Sequence, residues 1–375
     1  FALVLPLVLV AVILLLSPEL VLGKYAGREF SFEERVLTQG RLLWRYVGWI
    51  LLPNIVSLGF FHDDIPYSTG LLSPLTTGLA LLAWAGVTIA ALRLRNEYPL
   101  LLFALLFYLV GHAMESTIVA LEMVFEHRNY LPATGLFLLV SVALFQLAPR
   151  LRWLRPRVFL AVAFIVLSAQ LFLRTQAWQD QTSLARFNVV NHPASPRANF
   201  YYGRTLFDRL GRAGELGLDA EEQKDLAIRS RAHFLHMHRL APRDIPAIVM
   251  LYQLDTLNFP TLAEENDWLG RVADLAQTKR ISASDRGALA VLIAFSRTPP
   301  GEPNLPRVES ILERLVARYP RSLDLVTLHY RVMASKPGAD QDMLRAHLLE
   351  AAGQRNRNRL LYAYLVQRHG CLLYT

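Results

Sequence analysis

Over its first half the chain alternates long apolar runs with short polar breaks, and over its second it changes to amphipathic segments of helical period. Residues 1–22 are almost wholly apolar, with Pro6 the one irregularity, and suit a membrane span of roughly 20 residues. Residues 24–41 are polar and mixed in charge; Phe32, Val36 and Leu37, followed by Gly40, predict a short surface helix lying along the membrane. Residues 42–61 are apolar but interrupted by Arg45, Gly48, Pro53 and Asn54. With the interface-belt residues Trp44, Tyr46 and Trp49, they predict an interfacial or re-entrant hairpin. Further spans are expected at about 75–92, 100–113, 131–147 and 158–173, and the helix of the 100–113 span is expected to run on toward Phe125.

From Arg174 onward the long apolar runs stop. His192-Pro193 opens a helix through Tyr201, Tyr202 and Leu206, with 220–240 as its partner; pairs at about 244–258 with 261–278, 283–296 with 306–319, and 322–335 with 340–352 follow. Turn signals at Pro193, Pro242, Ile281-Ser282 and Pro320 recur at helical-hairpin spacing, which predicts a TPR-like α-solenoid, with an irregular helical bundle as the alternative. The expected fold is therefore all-α: a polytopic transmembrane helical domain over 1–173 and a TPR-like soluble domain over 174–375.

Composition agrees with a membrane protein, because 53% hydrophobic residues is too apolar for a wholly soluble chain of 375. The net charge of +8 lies in short loops and a helical tail, without a zinc or RNP-type motif, so nucleic acid is not an expected partner. Arg93, Arg95, Arg150, Arg152, Arg155 and Arg157 mark the cytoplasmic side, which places the 126–132 loop and the tail outside; the direction of the first span stays open. Cys371 is the only cysteine, which excludes an internal disulfide and a cysteine-based zinc site. The chain opens on Phe1 inside an apolar run, with no methionine and no basic leader, and reads as a fragment of a longer protein.

The chemistry gathers around Glu126-His127-Arg128-Asn129-Tyr130-Leu131-Pro132, charged residues set between two apolar runs, where charge needs a partner or a job. Glu115, Glu122 and Glu126 are seven and four apart, one stripe if the segment is helical, and His112 falls near the same side. With His62, Asp63 and Asp64 they form an external set suited to a phosphate-bearing lipid: arginine grips phosphate in two places, and an acid or imidazole moves a proton. The plain alternative is a set of interfacial snorkelling side chains and a helix cap. His62-Asp63-Asp64 alone is a weak metal signal, since adjacent side chains rarely converge on one ion, so no metal or other cofactor is assigned. No phosphate loop, nucleophile elbow or HExxH motif occurs.

Glu115-Ser116-Thr117, Phe125 to Pro132, Arg35-Val36-Leu37-Thr38-Gln39 and Leu51-Leu52-Pro53 resemble the later half of TPR-containing membrane glycosyltransferases of the GT-C class, akin to the TMTC-type O-mannosyltransferases. The likeness covers about residues 25–240 and is most specific over 115–132. It implies transfer of a sugar from a polyprenyl-phosphate donor to an extracytoplasmic protein or glycan acceptor, by an integral protein of a bacterial inner membrane. It further implies that Arg128 holds the donor phosphate, Glu126 orients Arg128 and Tyr130 lines the lipid entrance; His127 interrupts the usual acid-arginine pair. The family's catalytic aspartate lies in a first external loop with no counterpart here and is expected upstream. An O-antigen ligase or polymerase-like enzyme and a membrane-anchored TPR scaffold without catalysis are the other readings.

Overall fold

The computed structural model describes residues 23, 25, 28, 30–113, 115, 116, 119–147, 155–320, 322–333 and 340. The expected span over 1–22, the arginines at 150 and 152, the last helix over 340–352 and Cys371 fall outside that set. Among the described residues the chain is helical, without a strand, and divides into two compact units, Phe1–Ala198 and Asn199–Thr375. The division comes later than the expected boundary after residue 173, because Arg174 pairs with Glu126 and His192 with Asp64 inside the first unit.

Helix α1 (Phe32–Leu51) starts where Ser31 and Glu34 satisfy each other's backbone amides, a capping box written in the sequence as Ser-x-x-Glu. It runs 20 residues unbroken, so the expected surface helix and the first part of the expected hairpin are one element. Its polarity also reverses the expectation. The buried stripe is Arg35, Thr38, Gln39, Leu42 and Tyr46, while Val36 is exposed. The reason lies in what faces it: Arg35 donates to the carbonyls of Leu121 (2.6 Å) and Glu115 (2.5 Å), and Gln39 donates to that of Met123 (2.8 Å).

Helices α2 (Thr76–Arg93), α3 (Pro99–His112), α4 (Ala133–Leu147) and α5 (Pro156–Ala177) fall on the apolar runs, and α6 (Gln181–Asn191) follows, capped by Asp180. Among the described residues α2 and α5 are long and apolar enough to cross a membrane; α3 and α4, at 14 and 15 residues, are shorter. The third apolar helix does not run on to Phe125. It stops at His112, and Glu115, Glu122 and Glu126 therefore form no helical stripe. Carbonyls that a continued helix would have paired with its own amides are instead bound by side chains of α1 and by Arg28, which donates to Ala120 O (2.9 Å).

Indoles fasten α1 to α2. Trp44 of α1 donates to Ala80 O (3.0 Å), Trp84 of α2 donates to Gly40 O (2.9 Å), and the two rings stack at 4.2 Å. Tyr108 of α3 donates to Leu43 O of α1 (2.6 Å). Gly135 of α4 meets α3 so closely that a Cβ there would lie 3.1 Å from Ala104 O, a small-residue approach of the kind that packs helices without a hydrophobic driving force.

In the second unit, α7 (Pro196–Gly211) precedes a single turn, α8 (Ala213–Leu216), ended by left-handed Gly217 (φ 64°), and then α9 (Ala220–Leu240). Next come α10 (Ile245–Asn258), α11 (Pro260–Asn266), α12 (Trp268–Thr278), α13 (Ala283–Ser296), α14 (Leu305–Arg318) and α15 (Leu323–Met333). These elements sit close to the expected hairpins, except that the expected helix over 261–278 breaks at Asp267 (φ 39°), whose carboxylate caps α12 and pairs with Arg307 at 2.7 Å. Helix α10 is buried on every side from Ile245 to Asp255, packed by α9, α12 and α13, while α12 meets α14 and α14 meets α15. Gly203 of α7 leaves room for the Phe234 ring of α9, 3.0 Å from where a Cβ would stand.

Asp255 is the charged residue at the heart of this core. Fully buried, it accepts from Arg231 through both carboxylate oxygens (2.7 and 3.0 Å) and from the Trp268 indole (2.9 Å). Replacing it with alanine leaves a buried guanidinium and a buried N–H without partners, and Asp255→Ala is expected to cost about 3 kcal/mol. Denaturant unfolding followed by tryptophan fluorescence checks this; a midpoint equal to the parent's would show that the pair is dispensable.

Candidate functional site: a paired charge network and an arginine groove

All the polar residues singled out in the sequence lie in the first unit, and most of the carboxylates among them are paired with basic side chains. Glu115 is held by His112 Nδ1 (3.0 Å) and Arg128 Nε (3.2 Å). Glu122 lies between Arg28 (3.1 Å) and Arg197 (3.2 Å). Glu126 accepts from Arg174, from the Gly59 amide (2.6 Å) and sits 3.2 Å from His62 Nε2. Asp63 accepts from Ser195 Oγ and from the Arg197 amide (3.0 Å), and Asp64 lies 3.0 Å from His192 Nδ1.

This geometry changes the roles expected of the heptapeptide. Residues 126–129 form one 3₁₀ turn before α4. Arg128 does not pair with Glu126: its Nε meets Glu115, its Nη1 donates to Glu122 O (2.8 Å), and its guanidinium covers the Phe125 ring at 5.0 Å. With its side chain only 7% exposed, Arg128 ties the irregular chain together. His127 is exposed with its ring against Phe125, and Tyr130, 91% exposed, turns away from the network. His112 is fully buried between the rings of Tyr46 (5.3 Å, parallel) and Tyr108 (4.8 Å, edge-on).

Burial alone would raise the Glu126 carboxyl, but hydrogen bonds from His62 and Arg174 and the Arg174 charge outweigh it and hold Glu126 below its ordinary value. Asp64 behaves in the same way: burial works against its charge, and the bond and charge of His192 more than offset that.

Nothing local marks Arg28, Arg35, Arg174, His192, Ser195 or Arg197 as partners, since they meet residues 48 to 134 positions away. The sequence does contain a signal for a second feature. Arg41 and Arg45 stand one turn apart on α1 beside Trp44, and they line a cavity of about 500 Å³ with Ile65, Pro66, Leu79 and Ala83. Arg41 donates to Pro66 O (2.5 Å) and Thr76 Oγ1 (3.3 Å), while its Nε is buried without a partner. Among the described residues neither arginine pairs with a carboxylate. Burial first, then the neighbouring Arg45 charge, pulls Arg41 below the ordinary arginine value, a repulsion that a bound anion would relieve.

Comparison of the chain with protein-family models, with curated proteins and with solved structures yields no match.

Two outcomes follow from the network. Removing the guanidinium in Arg128→Ala leaves Glu115 with His112 alone and frees the Glu122 carbonyl, and is expected to cost about 3 kcal/mol, read as a lowered melting temperature of the detergent-solubilised chain. Because Glu126 titrates lower in the fold than the usual 4.5, the stability it lends is complete above that pH and is lost as pH falls through the depressed value. Tryptophan fluorescence should hold steady from pH 7 to about 5 and decline on further acidification, with a smaller acid-dependent loss in Glu126→Gln. Equal acid profiles for the two proteins would contradict the assignment.

Proposed function

We propose that the first unit is the donor-binding part of an integral-membrane glycosyltransferase of the GT-C class, working at the external face of a bacterial inner membrane. In this reading α2 to α5 cross or line the bilayer, and the sugar passes from a polyprenyl-phosphate donor to a protein or glycan acceptor. The second unit is read as a TPR-like solenoid, in which α10 and α13, and α12 and α14, are the like helices of successive hairpins, and which binds the acceptor outside the cytoplasm.

The observation that carries this reading is the arginine groove. Two cations that pair with no carboxylate among the described residues head a cavity whose other wall is the apolar α2, with Leu79 exposed beside it. A phosphate with a long hydrocarbon tail matches both halves: charge-assisted hydrogen bonds from Arg41 and Arg45 to the oxygens, and apolar contact along α2 for the chain. The donor phosphate is thereby assigned to Arg41 and Arg45, not to Arg128, whose guanidinium is occupied by Glu115 and Glu122 O. During transfer, prepositioned cations at the leaving phosphate stabilise the charge that develops there. The general base has no candidate among these residues, so the reading gives this chain donor binding and leaves proton abstraction to a group it does not assign.

Polyprenyl phosphate binding to the chain in nanodiscs tests the assignment. The double substitution Arg41→Ala/Arg45→Ala is expected to weaken it at least tenfold, since each charge-assisted bond is worth about 1.5–3 kcal/mol. The uncharged polyprenol should bind weakly to parent and variant alike. Equal affinity in parent and variant, or equal competition by phosphatidylglycerol, would reduce the groove to an ordinary contact with anionic lipid and overturn the donor role.

A further inference from the structure

Within the network, and apart from the arginine groove, three potential metal ligands converge from distant parts of the first unit. His62 and Asp64 come from the loop before α2, and His192 stands at the end of α6, 128 residues beyond Asp64. One ligand atom from each lies within 4.8 Å of the others. Both histidines are more than nine-tenths buried.

Proton placement makes this more than proximity. His192 Nδ1 lies 3.0 Å from Asp64 Oδ2, two atoms that face each other at the spacing of neighbouring ligands, so a cation that displaced the proton between them would take both. His192 Nε2 and Asp64 Oδ1 are buried with no hydrogen-bond partner, and buried polar atoms left without partners are costly unless something else stabilises the pair. His62 is prepared as well. Its Nε2 faces the Glu126 carboxylate at 3.2 Å, which fixes the proton there and leaves Nδ1 as the ring's lone-pair nitrogen. Carboxylates that orient imidazoles by their second nitrogen are the usual outer partners of metal-bound histidines. Gly59 adds room: a Cβ at that position would lie 2.7 Å from His192 Nε2.

We propose that His62, Asp64 and His192 bind a divalent transition cation of the zinc class, with Glu126 orienting His62. Two imidazoles and one carboxylate select such an ion over calcium or magnesium, which prefer all-oxygen shells. In a tetrahedral site the ligand atoms stand roughly 3.4 Å apart, so small side-chain rotations from the present positions close the shell. The ion would staple the loop before α2 to the end of α6, joining segments held now by Asn188, which accepts from the Phe60 amide at 2.5 Å, and by the Ser195–Asp63 bond. This inference does not rest on the glycosyltransferase reading, and it holds or fails whether or not the groove binds lipid.

The test uses the full chain without a histidine tag, stripped with a chelator and titrated with Co²⁺ alone. One Co²⁺ per chain should bind with visible ligand-field absorption, be displaced by Zn²⁺, and raise the melting temperature. His62→Gln and His192→Gln should each weaken uptake about a hundredfold, whereas Arg41→Ala/Arg45→Ala should bind as the parent does. Asp64→Asn, nearly the same shape, guards against misfolding as the explanation: it should keep its secondary structure by circular dichroism and still lose at least tenfold in affinity. Absence of stoichiometric uptake by the parent, or uptake equal in parent and Asp64→Asn, overturns the site.

Discussion

The first unit depends on how a side chain deals with backbone that has left its helix. Between His112 and the turn at Glu126 the chain is irregular, yet the carbonyls of Glu115, Ala120, Leu121 and Met123 lie where water is scarce. Arg35, with no exposed surface, spans two of them; Gln39 and Arg28 take the others, and the Tyr46 hydroxyl receives the Phe125 amide at 3.3 Å. An unsatisfied buried carbonyl costs on the order of 1–3 kcal/mol, so this substitution of side-chain donors for helical amides decides whether the segment can exist at all. Burial in turn lowers Arg35 below its ordinary value, with desolvation the largest cause, and the guanidinium keeps its charge because arginine starts so high.

The same constraint explains why charge is spent the way it is. Once the irregular segment is pinned, Glu115 and Glu122 are carried to positions beside Arg128, Arg28 and Arg197, and Glu126 to Arg174 and His62. A charge that is both buried and paired fixes geometry, and it has little left to offer a ligand. Glu115, Glu122 and Arg128 are saturated in this way, whereas among the described residues Arg41 and Arg45, on a quieter face of α1, pair with no carboxylate.

How much of this was legible follows from the range of each signal. The apolar runs gave α2 to α5 nearly at their ends, since a helix's length is written locally, whereas the start of α1 at its Ser31–Glu34 capping box was not read. The seven-and-four spacing of Glu115, Glu122 and Glu126 misled, because a period says which side residues share only if the segment is a helix, and the donors that hold its carbonyls lie 80 to 92 residues earlier. The polar face of α1 was misjudged for a related reason. In a helix flanked by irregular backbone the buried side is the one with hydrogen-bond donors, and Val36 is left outside. His62-Asp63-Asp64 is a weak metal signal by itself, since nothing local announces that His192 arrives beside it.

These observations bear on why a charged loop and a lone arginine pair should share one helix. Helix α1 offers Arg35, Gln39 and Tyr46 along one side and Arg41, Trp44 and Arg45 along another, and Trp44 and Trp84 lock α2 against it through backbone carbonyls. Any shift of the irregular segment would be carried by α1 as a rigid body to the wall of the groove, because interdigitated indoles and a buried guanidinium do not deform gradually. The spacing between two arginines on adjacent turns is then set by the helix, and the depth of the cavity by the stack behind it. The buried network is best understood as the foundation that keeps α1 in register, and the groove as the part of the helix that this support leaves free to act.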